Sequence, residues 1–416
     1  MGRVLAFVLA GGRSERLGVL TKHRTMAAVP FGGRYRIVDF TLSNCVNSRI
    51  YTVQIATQYS PRSLQQHILL GRPWDLDRRD GGVWLLQPYT GRTDSNWYRG
   101  TADALYQNLD MISTHRPEMI LVLSGDQVYR MDYCEMIRQH RRNKAEVTMA
   151  VKAMEPSASE RFGMVEIDGN RVVRFEEKPQ STDLHFVNLA IYLFEARYLI
   201  ERVQECIPAG RFDLVMDLLL PAVGEGRVAP FLFEGYWEDL GTLDSYYTAN
   251  RSLLPASSTF LMDHQWPIFT RSEERPPARF GATASVVNSV VSNGCRVFGR
   301  VENSVLSPGV LVGEDSVVRD SILFSGAQVH RGAHVSRCVL DKRVLVGDGA
   351  VLGHDAPQSV NLGRVLAHDP DVLTDEGLTV VGKDTHIPPG FECTRPVMID
   401  SHLYEDAVRQ TVGILR

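Results

Sequence analysis

Residues 3–12 read RVLAFVLAGG, a continuous apolar run that ends in two glycines. An unbroken run of this length before a turn is typical of a strand buried on both faces of a parallel sheet. Similar runs recur at YTVQIAT from Tyr51, MILVLSG from Met119 and EVTMAVKA from Glu146. Longer amphipathic segments separate them, so the pattern predicts a Rossmann-like α/β domain with a mostly parallel sheet over residues 1–250.

A second pattern begins after a proline-rich stretch, residues 251–280, which lacks periodicity and is predicted to be a linker. Six-residue spacing of one aliphatic residue, with Gly or Ser nearby, is typical of a parallel β-helix. We therefore predict a left-handed parallel β-helix over residues 281–416, interrupted by an irregular insertion near 355–376; the alternative is a β-sandwich that contains these valines by chance. The repeating residues are Val305, Leu311, Val317, Leu323, Val329 and Val335, then, after a phase slip, Val339, Leu345 and Val351.

The composition of the 416 residues limits the partners of the chain. Its 45 basic and 49 acidic residues are well mixed and give a formal net charge of -4, so no overall field attracts nucleic acid or an anionic membrane. The six cysteines lack metal-ligand or redox spacing and are predicted to be buried, reduced thiols. The first apolar run is too short for a membrane helix and lacks a signal-peptide cleavage region, so we expect a cytoplasmic protein.

The glycine pair after the first strand is a candidate phosphate site. Gly11 and Gly12 let backbone N–H groups approach phosphate without obstruction, and Arg13 and Arg16 could add charge-assisted hydrogen bonds. The alternative is a turn that needs glycine only for steric reasons.

Carboxylates near other strand ends are candidate metal ligands. Asp126 directly follows MILVLSG and could hold Mg²⁺, although an Asp here could instead cap the next helix. Asp239, in YWEDLG, could supply a second carboxylate to the same ion. Two further motifs offer ligand contacts: NWYRGTADAL through Gly100 and Thr101, and FEEKP through Glu177 and Lys178, which could meet a sugar phosphate.

Five segments in this order resemble the bacterial and plant ADP-glucose pyrophosphorylases, also called glucose-1-phosphate adenylyltransferases. The segments are PFGGRYRIVDFTLSNCVNSRI from Pro30, NWYRGTADAL from Asn96, LSGDQVYRMDY from Leu123, FEEKP from Phe175 and YWEDLGTLDSYYTAN from Tyr236. The resemblance implies that ATP and glucose 1-phosphate react in the presence of Mg²⁺ to give ADP-glucose and pyrophosphate, for glycogen or starch synthesis. It also implies a homo- or hetero-tetramer and a sugar-phosphate effector.

The same resemblance assigns roles to individual residues. It implies catalytic roles for Arg16 and Asp126 and a magnesium site formed by Asp126 and Asp239. It places the nucleotide at Leu9, Gly11, Gly12, Gln58, Gly100 and Thr101, and the sugar phosphate at Glu177, Lys178 and Asn188.

Several residues depart from the family pattern. Met26 removes the charge of a family lysine important for catalysis, and Glu15 adds a carboxylate that repels triphosphate. Two functions therefore stay open: an active enzyme in which Lys22 or Arg24 replaces the lysine, and a catalytically weak regulatory subunit beside an active paralogue. The departures are Ser14, Glu15, Met26 and Ala27 in the phosphate loop, Gln127, Asn188, Ala190, Val215 and Met216.

Two other activities are alternatives. Hexapeptide coils also occur in acyltransferases, which generally need a catalytic histidine, and the coil contains His330 and His334. Histidines at hexad spacing are more typical of solvent-facing positions. Pyrophosphorylases for other nucleotides or sugars share the reaction type but match the PFGGRYRIVDF and YRGTADA segments less well.

Overall fold

The computed structural model describes residues 3–12, 15–89, 97–255, 260, 263–353, 377–394 and 396–400. The chain divides into two compact units. The first comprises Met1–Gly12 and Phe40–Trp237, and the second comprises Arg13–Asp39 and Glu238–Arg416. The predicted domain boundaries at residues 250 and 280 stay predictions.

Helices and strands alternate along residues 4–251, as predicted. The strands are β1 Val4–Leu9, β2 Pro30–Phe31, β3 Tyr35–Arg36, β4 Thr52–Ala56, β5 Gly82–Leu86, β6 Met119–Ser124, β7 Gln127–Tyr129, β8 Val147–Ala153, β9 Gly163–Asp168, β10 Arg171–Glu177, β11 Phe186–Glu195, β12 Val228–Leu232 and β13 Trp237–Asp239. The α-helices are α1 Ile37–Asn47, α2 Arg62–Ile68, α3 Thr101–Gln107, α4 Leu109–Thr114, α5 Tyr133–Asn143, α6 Ala196–Cys206, α7 Leu220–Gly224 and α8 Leu243–Arg251. Short 3₁₀-helices span Gly18–Leu20, Met26–Ala28, Arg72–Trp74 and Pro156–Arg161, and a π-helical turn spans Val215–Leu219.

A nine-stranded mixed sheet forms the centre of the first unit. Its order is β10-β9-β11-β6-β1-β4-β5, with β8 beside β11 and β12 beside β8. The neighbours β6, β1, β4 and β5 are parallel, whereas β11 runs antiparallel to β6. Phe7 and Val122 are buried in the core on one side of these strands, together with Leu105 of α3. This arrangement confirms the predicted α/β domain and brings the carboxyl ends of β1, β4 and β6 to one edge, where ligands bind in such sheets.

Three six-stranded, all-parallel sheets form the left-handed β-helix of the second unit, which confirms that prediction. They are β14-β17-β20-β23-β26-β29, β15-β18-β21-β24-β27-β30 and β16-β19-β22-β25-β28-β31. The strands are β14 Arg279–Phe280, β15 Ser285–Val287, β16 Val290–Val291, β17 Arg296–Val297, β18 Arg300–Glu302, β19 Val305–Leu306, β20 Leu311–Val312, β21 Val317–Arg319, β22 Ile322–Leu323, β23 Gln328–Val329, β24 His334–Ser336, β25 Cys338–Leu340, β26 Leu345–Val346, β27 Val351–Leu352, β28 Thr379–Val381, β29 His386–Ile387, β30 Glu392–Cys393 and β31 Met398–Ile399.

The coil resumes after the predicted insertion. Val339 of β25 pairs with Val380 of β28 in parallel register, and β26 and β27 continue in the same way into β29 and β30. The resumption near Gly377 is therefore confirmed, while the insertion near 355–376 lies outside the described residues.

The six-residue repeat identified the coil but placed part of its core in the wrong register. Leu311, Val317, Leu345 and Val351 are only half-buried, whereas the following residues Val312, Val318, Val346 and Leu352 fill the interior. The reason is the length of one coil. Stacked positions such as Ser304 and Ser321 are 17 residues apart, one residue short of three hexads, so the inward position moves by one residue in each 17-residue coil.

One sheet of the β-helix, the one that contains β19, β22 and β25, is covered on its outer side. Val305 and Val339 are buried there beside the inward Leu306 and Leu340. Helix α8 contributes to the cover: the Tyr247 hydroxyl donates to the carbonyl of Asp320 at 2.6 Å, and Arg251 pairs with the Asp320 carboxylate at 2.9 Å.

Residues 15–39 also contact the β-helix. Arg24 donates to both carboxylate oxygens of Asp341, at 2.9 and 3.0 Å. The two side chains are 3% and 0% exposed, so this ion pair is buried. The segment that follows the predicted phosphate loop is thus a structural part of the second unit.

Other predictions from composition can be checked against the same residues. The six cysteines are free thiols, and four of them, Cys45, Cys206, Cys295 and Cys338, are buried. Within the described ranges, no helix has both the length and the apolarity that crossing a membrane requires.

Candidate functional site

A cavity of about 350 Å³ lies in the first unit at the carboxyl ends of β1, β4 and β6. Seven of the predicted site residues line it: Leu9, Gly11, Gly12, Gln58, Gly100, Thr101 and Asp126. The remaining lining residues are Ala56, Tyr59, Tyr98, Ala104, Val122, Ser124, Ala190, Tyr192, Leu214 and Val215. The cavity is therefore mainly apolar, with a few polar groups at its edge, which is typical of a nucleotide or small-molecule site.

The two glycines of the turn after β1 differ in how closely other residues approach them. A Cβ on Gly11 would lie 3.0 Å from the main-chain nitrogen of Gln58, closer than side chains normally pack, so a larger residue here would press against the segment after β4. A Cβ on Gly12 would meet nothing within 4 Å. Gly11 thus lets the turn pack against the end of β4, while Gly12 leaves its backbone accessible. The phosphate-binding role of the pair stays a prediction.

Gln58 holds the main chain of Tyr98. Its side-chain oxygen accepts from the Tyr98 N–H at 2.6 Å, and its amide nitrogen donates to the Tyr98 carbonyl at 3.4 Å. The resemblance implied that Gln58 lies near adenine, and the residue does line the cavity. Since both ends of the amide are used by the main chain, Gln58 shapes the cavity wall by fixing residue 98.

Gly100 and Thr101 fix a second part of the wall. A Cβ on Gly100 would lie 2.4 Å from the carbonyl oxygen of Phe212, so only glycine allows the two backbones to approach. The N–H of Ala102 donates to that same carbonyl at 2.8 Å, and the Thr101 hydroxyl accepts from the N–H of Leu214 at 2.8 Å. These contacts hold Leu214 and the start of the π-helical turn against the cavity.

A buried carboxylate anchors the loop before α3. Asp103 is fully buried and accepts from Arg99 at 2.8 and 3.1 Å and from Gln107 at 2.9 Å. Burial acts to raise the pKa of Asp103, but the hydrogen bonds from Arg99 and Gln107 outweigh it and hold the pKa below its ordinary value. The ionised carboxylate therefore keeps residues 97–100 at the cavity edge.

Asp126 lies at the end of β6 with its carboxylate half-buried, and it accepts a hydrogen bond from the Ser124 hydroxyl. It precedes β7, and the residue that caps the next helix is Asp132, which accepts from the Cys134 N–H at 2.8 Å. Helix capping is thus not the role of Asp126. No cluster of three or more metal-ligating side chains occurs in the parts of the chain that are described. Mg²⁺ is commonly bound by one or two carboxylates plus substrate phosphates, so a single carboxylate in a cavity fits this ion.

The predicted sugar-phosphate residues do not line the cavity themselves. Lys178 is half-exposed, with its ammonium 3.3 Å from the Glu177 carboxylate and a left-handed backbone at φ 46°. Asn188 is buried and donates to the hydroxyl of Tyr192 at 2.7 Å. Tyr192 lines the cavity, so Asn188 reaches it through this tyrosine.

Arg16 and Asp239 belong to the second unit. Arg16 is exposed, and Asp239 is half-buried and accepts from the Gly241 N–H at 3.2 Å. Their catalytic and metal-binding roles stay predictions. Asp244 lies in the first turn of α8, as expected of a helix-start residue. Arg13 lies outside the described residues.

The cations that could replace the missing lysine have other partners. Met26 is buried, with 6% of its side chain exposed, in the turn Met26–Ala28. Arg24 forms the buried pair with Asp341, and Lys22 forms an ion pair with Asp400. For Lys22 or Arg24 to take over the role of the missing lysine, its present ion pair would have to break.

Ten lining residues were absent from the predicted site, among them Tyr59, Tyr98, Tyr192 and Leu214. Tyr59 follows Gln58 directly, and Tyr98 stands two residues before Gly100. Their closeness in sequence to predicted site residues could have identified both tyrosines as lining residues. Tyr59 also stacks on Trp97, with ring centroids 5.2 Å apart and an interplanar angle of 25°. No feature of the sequence around Leu214 predicted that it lines the cavity, because it is held there by the hydrogen bond from the Leu214 N–H to the Thr101 hydroxyl.

Comparison with known proteins gives close matches over most of the chain. The family profile described as "Nucleotidyl transferase" matches residues 5–255, and the profile described as "GlmU-like, C-terminal hexapeptide" matches residues 276–381. Three similar proteins are named glucose-1-phosphate adenylyltransferase. The one from Thermomicrobium roseum is 46% identical over 411 residues, covering 97% of this chain and 95% of the relative. Those from Pseudothermotoga lettingae and Fervidobacterium nodosum are 42% and 38% identical, covering 94% and 96% of this chain and 92% and 95% of the relatives.

Proposed function

This chain belongs to the glucose-1-phosphate adenylyltransferase family, and from that membership we propose that it transfers the adenylyl group of ATP to glucose 1-phosphate. The observation that carries the proposal is the cavity that brings Gly11, Gly12 and Asp126 together at one sheet edge. In the proposed reaction a phosphate oxygen of the sugar forms a bond to the α-phosphorus of ATP. The bond from that phosphorus to the β-phosphate oxygen breaks, and pyrophosphate leaves with the electron pair.

Such a displacement needs positioning and charge neutralisation and no protein nucleophile. The backbone N–H of Gly12 would donate to a phosphate oxygen, and the apolar wall of the cavity would receive the base. Asp126 would hold Mg²⁺, which when bound neutralises charge on the nucleotide phosphates. Lys178, whose side chain is half-exposed, would bind the phosphate of glucose 1-phosphate, with Glu177 beside it.

Three features of the proposal come from the sequence resemblance alone: the catalytic role of Arg16, assembly as a homo- or hetero-tetramer, and a sugar-phosphate effector. The role of Asp239 as a second magnesium ligand and a cytoplasmic location are further parts of the proposal.

The test is pyrophosphate release by the purified protein with Mg²⁺, ATP and glucose 1-phosphate. Asp126→Asn should reduce the rate at least a hundredfold, because it removes the carboxylate of the metal site. Asp132→Asn is the matched control, since it changes a nearby carboxylate that caps α5 and asparagine caps helices equally well. Equal rates for the parent and Asp126→Asn would exclude Asp126 from the site.

A second candidate function, a regulatory subunit that binds the substrates with little turnover, is favoured by one observation. Met26 is buried and uncharged, and the nearby Lys22 and Arg24 are engaged in ion pairs. Tight binding of ATP or glucose 1-phosphate without pyrophosphate release that depends on Asp126 would support this function over the first.

A further inference from the structure

The segment DFTLSNCVNS, residues 39–48, is part of the family resemblance, yet none of its residues lines the cavity. Every residue from Phe40 to Val46 is buried. Among them are Thr41 and Asn44 of α1, and Ser48 just after the helix is buried as well. These three residues are three and four positions apart, so they lie on one face of the helix. Buried polar groups need hydrogen-bond partners, and their partners indicate what this face of α1 does.

The polar face of α1 binds the chain on both sides of Asp126. All three of its residues make hydrogen bonds to main-chain atoms of residues 124–133. The bonds are Thr41 to the Ser124 carbonyl at 3.2 Å, Asn44 to the Tyr129 carbonyl at 3.1 Å and the Met131 N–H at 3.3 Å, and Ser48 to the Tyr133 N–H at 2.9 Å. Since these bonds begin before Asp126 and end after it, α1 holds the backbone from which the carboxylate extends.

The hydroxyl of Ser124 acts on the carboxylate itself. Ser124 pairs with Leu9 of β1 in parallel register, and the N–H of Gly125 donates to the Leu9 carbonyl at 3.0 Å, so the backbone before Asp126 is fixed against β1. The Ser124 hydroxyl donates to Oδ1 of Asp126 and thereby restrains the rotation of that side chain. A hydroxyl has one proton and a carboxylate can only accept, so this bond leaves Ser124 no proton to donate to a ligand.

We infer that Ser124 is a positioning residue that holds the Asp126 carboxylate in one orientation for Mg²⁺, and that Thr41 holds Ser124 in place. This inference rests on the proposed function. Mg²⁺ demands near-ideal octahedral geometry with short bonds to oxygen, so the orientation of a ligating carboxylate matters. Loss of a hydrogen bond to such a carboxylate typically costs about 10- to 100-fold in metal affinity.

Ser124→Ala tests the orientation of the carboxylate without removing it. ATP binding is measured by calorimetry in Mg²⁺ and again in EDTA, with no glucose 1-phosphate present, so that no turnover occurs. The variant should bind ATP about tenfold more weakly in Mg²⁺ and change by less than about twofold in EDTA, where there is no metal ion to orient. Ser124→Thr keeps the hydroxyl and should bind ATP in Mg²⁺ nearly as tightly as the parent.

Thr41→Val is the second variant, and it removes the proton that the Ser124 carbonyl accepts while keeping a side chain of similar shape. It should weaken ATP binding in Mg²⁺ by a smaller factor than Ser124→Ala. Adding it to Ser124→Ala should change little, because the two bonds act in series on the same carboxylate. If Ser124→Ala does not fold, Thr41→Val tests the same series of bonds.

Ser48→Ala is the matched control, because it removes a hydroxyl from the same face of α1 whose partner, Tyr133, lies seven residues after Asp126. It leaves a buried N–H without its acceptor and should lower the melting temperature, with ATP affinity unchanged in both Mg²⁺ and EDTA. Equal weakening of ATP binding in Mg²⁺ by Ser48→Ala and Ser124→Ala would overturn the inference, since that result indicates general loosening of α1.

The remaining outcomes distinguish the inference from the proposed function. A parent protein that gains no ATP affinity from Mg²⁺, or whose gain survives Asp126→Asn, would contradict the magnesium site of the proposed function and the inference with it. A gain that is lost in Asp126→Asn but kept in both Ser124→Ala and Thr41→Val would overturn the role of Ser124 alone.

Discussion

Met26 stands where the sequence resemblance implies a catalytic lysine, and this departure bears directly on the rate of the proposed reaction. It removes a cation, and a charge-assisted hydrogen bond contributes roughly 1.5 to 3 kcal/mol, or about ten- to a hundredfold in rate. We expect Met26→Lys combined with Glu15→Thr to raise the rate of pyrophosphate release at least tenfold. Lysine can keep its stem in the space of methionine while its ammonium reaches a polar group.

Met26→Leu is the control, because it preserves the buried apolar volume and should leave the rate near that of the parent. A double variant that folds but gains no activity would show that the loop alone does not limit the rate. The next position to change is then Met216, where the family resemblance implies a second lysine. Met216 is 53% exposed, so a lysine there is easily accommodated.

The buried pair of Arg24 and Asp341 gives a stability prediction. Removing one partner of a buried ion pair leaves an uncompensated charge and typically costs 3–5 kcal/mol. Asp341→Asn should therefore lower the free energy of unfolding by about 3 kcal/mol, measured by urea denaturation. The control is Asp384→Asn, which breaks the pair that Arg343 forms with Asp384 of the next coil, whose side chains are 58% and 50% exposed. Exposed pairs contribute about 0 to 1 kcal/mol, and equal losses in both variants would contradict the prediction.

For individual residues, the sequence predicted well which ones lie at the cavity. It predicted less well which contacts each of them makes. Glycines and Asp126 at strand ends were found because parallel strands bring their carboxyl ends to one edge. The contacts of Gln58 with Tyr98 and of Thr101 with Leu214 were not predictable, because they join segments distant in sequence through main-chain atoms that any residue carries.

Among the helices, α5 gives a prediction about pH. His140 on α5 is 4% exposed and shares a 2.8 Å hydrogen bond with Thr148 of β8. Burial, with a smaller effect of Arg141, lowers the pKa of His140 from 6.5 to about 4. Below pH 6.5 the unfolded chain therefore takes up a proton that the folded protein resists.

The sign of the effect follows from that difference. The contribution of neutral His140 to the free energy of unfolding is fully present above pH 6.5. It is lost as the pH falls toward 4, by up to about 3 kcal/mol. His140→Gln should make the free energy of unfolding less dependent on pH in this range, measured by urea denaturation at pH 7, 6 and 5. An unchanged pH dependence would show that other groups cause the acid loss.

In the β-helix, stacked hydroxyl groups join successive coils. The Ser321 hydroxyl accepts from the N–H of Cys338 at 3.1 Å and donates to the Arg319 carbonyl at 2.6 Å, and Ser304 accepts in the same way from the N–H of Ser321. Ser321→Ala leaves the buried Cys338 N–H without its acceptor, which should cost about 1 to 3 kcal/mol of unfolding free energy.

Ser321→Cys is the conservative control, since Cys338 occupies the same position in the next coil. It should cost less than Ser321→Ala in urea denaturation. A larger loss for cysteine than for alanine would indicate that the size of the side chain, and not the hydrogen bond, limits this position.

The coil also shows what periodicity can and cannot predict. Six-residue spacing identified the β-helix because each strand of each coil contributes one inward aliphatic residue. It could not identify all inward residues, since Val312 and its neighbour Leu311 are both aliphatic and only the 17-residue coil decides between them.

For the whole molecule, the main finding is that residues 13–39 belong to the second unit although both flanking segments belong to the first. No local pattern predicted this, because it depends on packing against residues such as Asp341 that lie far along the chain. A cut at residue 250 therefore removes the partners of this segment. In a fragment 1–250, backbone amides of residues 15–39 should exchange hydrogen much faster than in the full chain.

Fast exchange confined to residues 15–39, with β1, β4 and β6 still protected, would be the expected pattern. Protection equal to that of the full chain would contradict the assignment of this segment to the second unit. Adding residues 251–416 as a separate chain should slow the exchange again if the two pieces reassemble.

The separation of Arg24 from Asp341, 317 residues along the chain, has a consequence for synthesis in the cell. Translation at about 5–20 residues per second leaves roughly 15 to 60 s between the appearance of the two residues. During that time Leu17, Leu20, Met26, Val29 and Phe31, all buried in the finished protein, have yet to meet the coil that completes their unit. The nascent chain therefore presents an apolar segment near its amino end until translation is nearly complete, a binding site for a chaperone that the folded protein no longer offers.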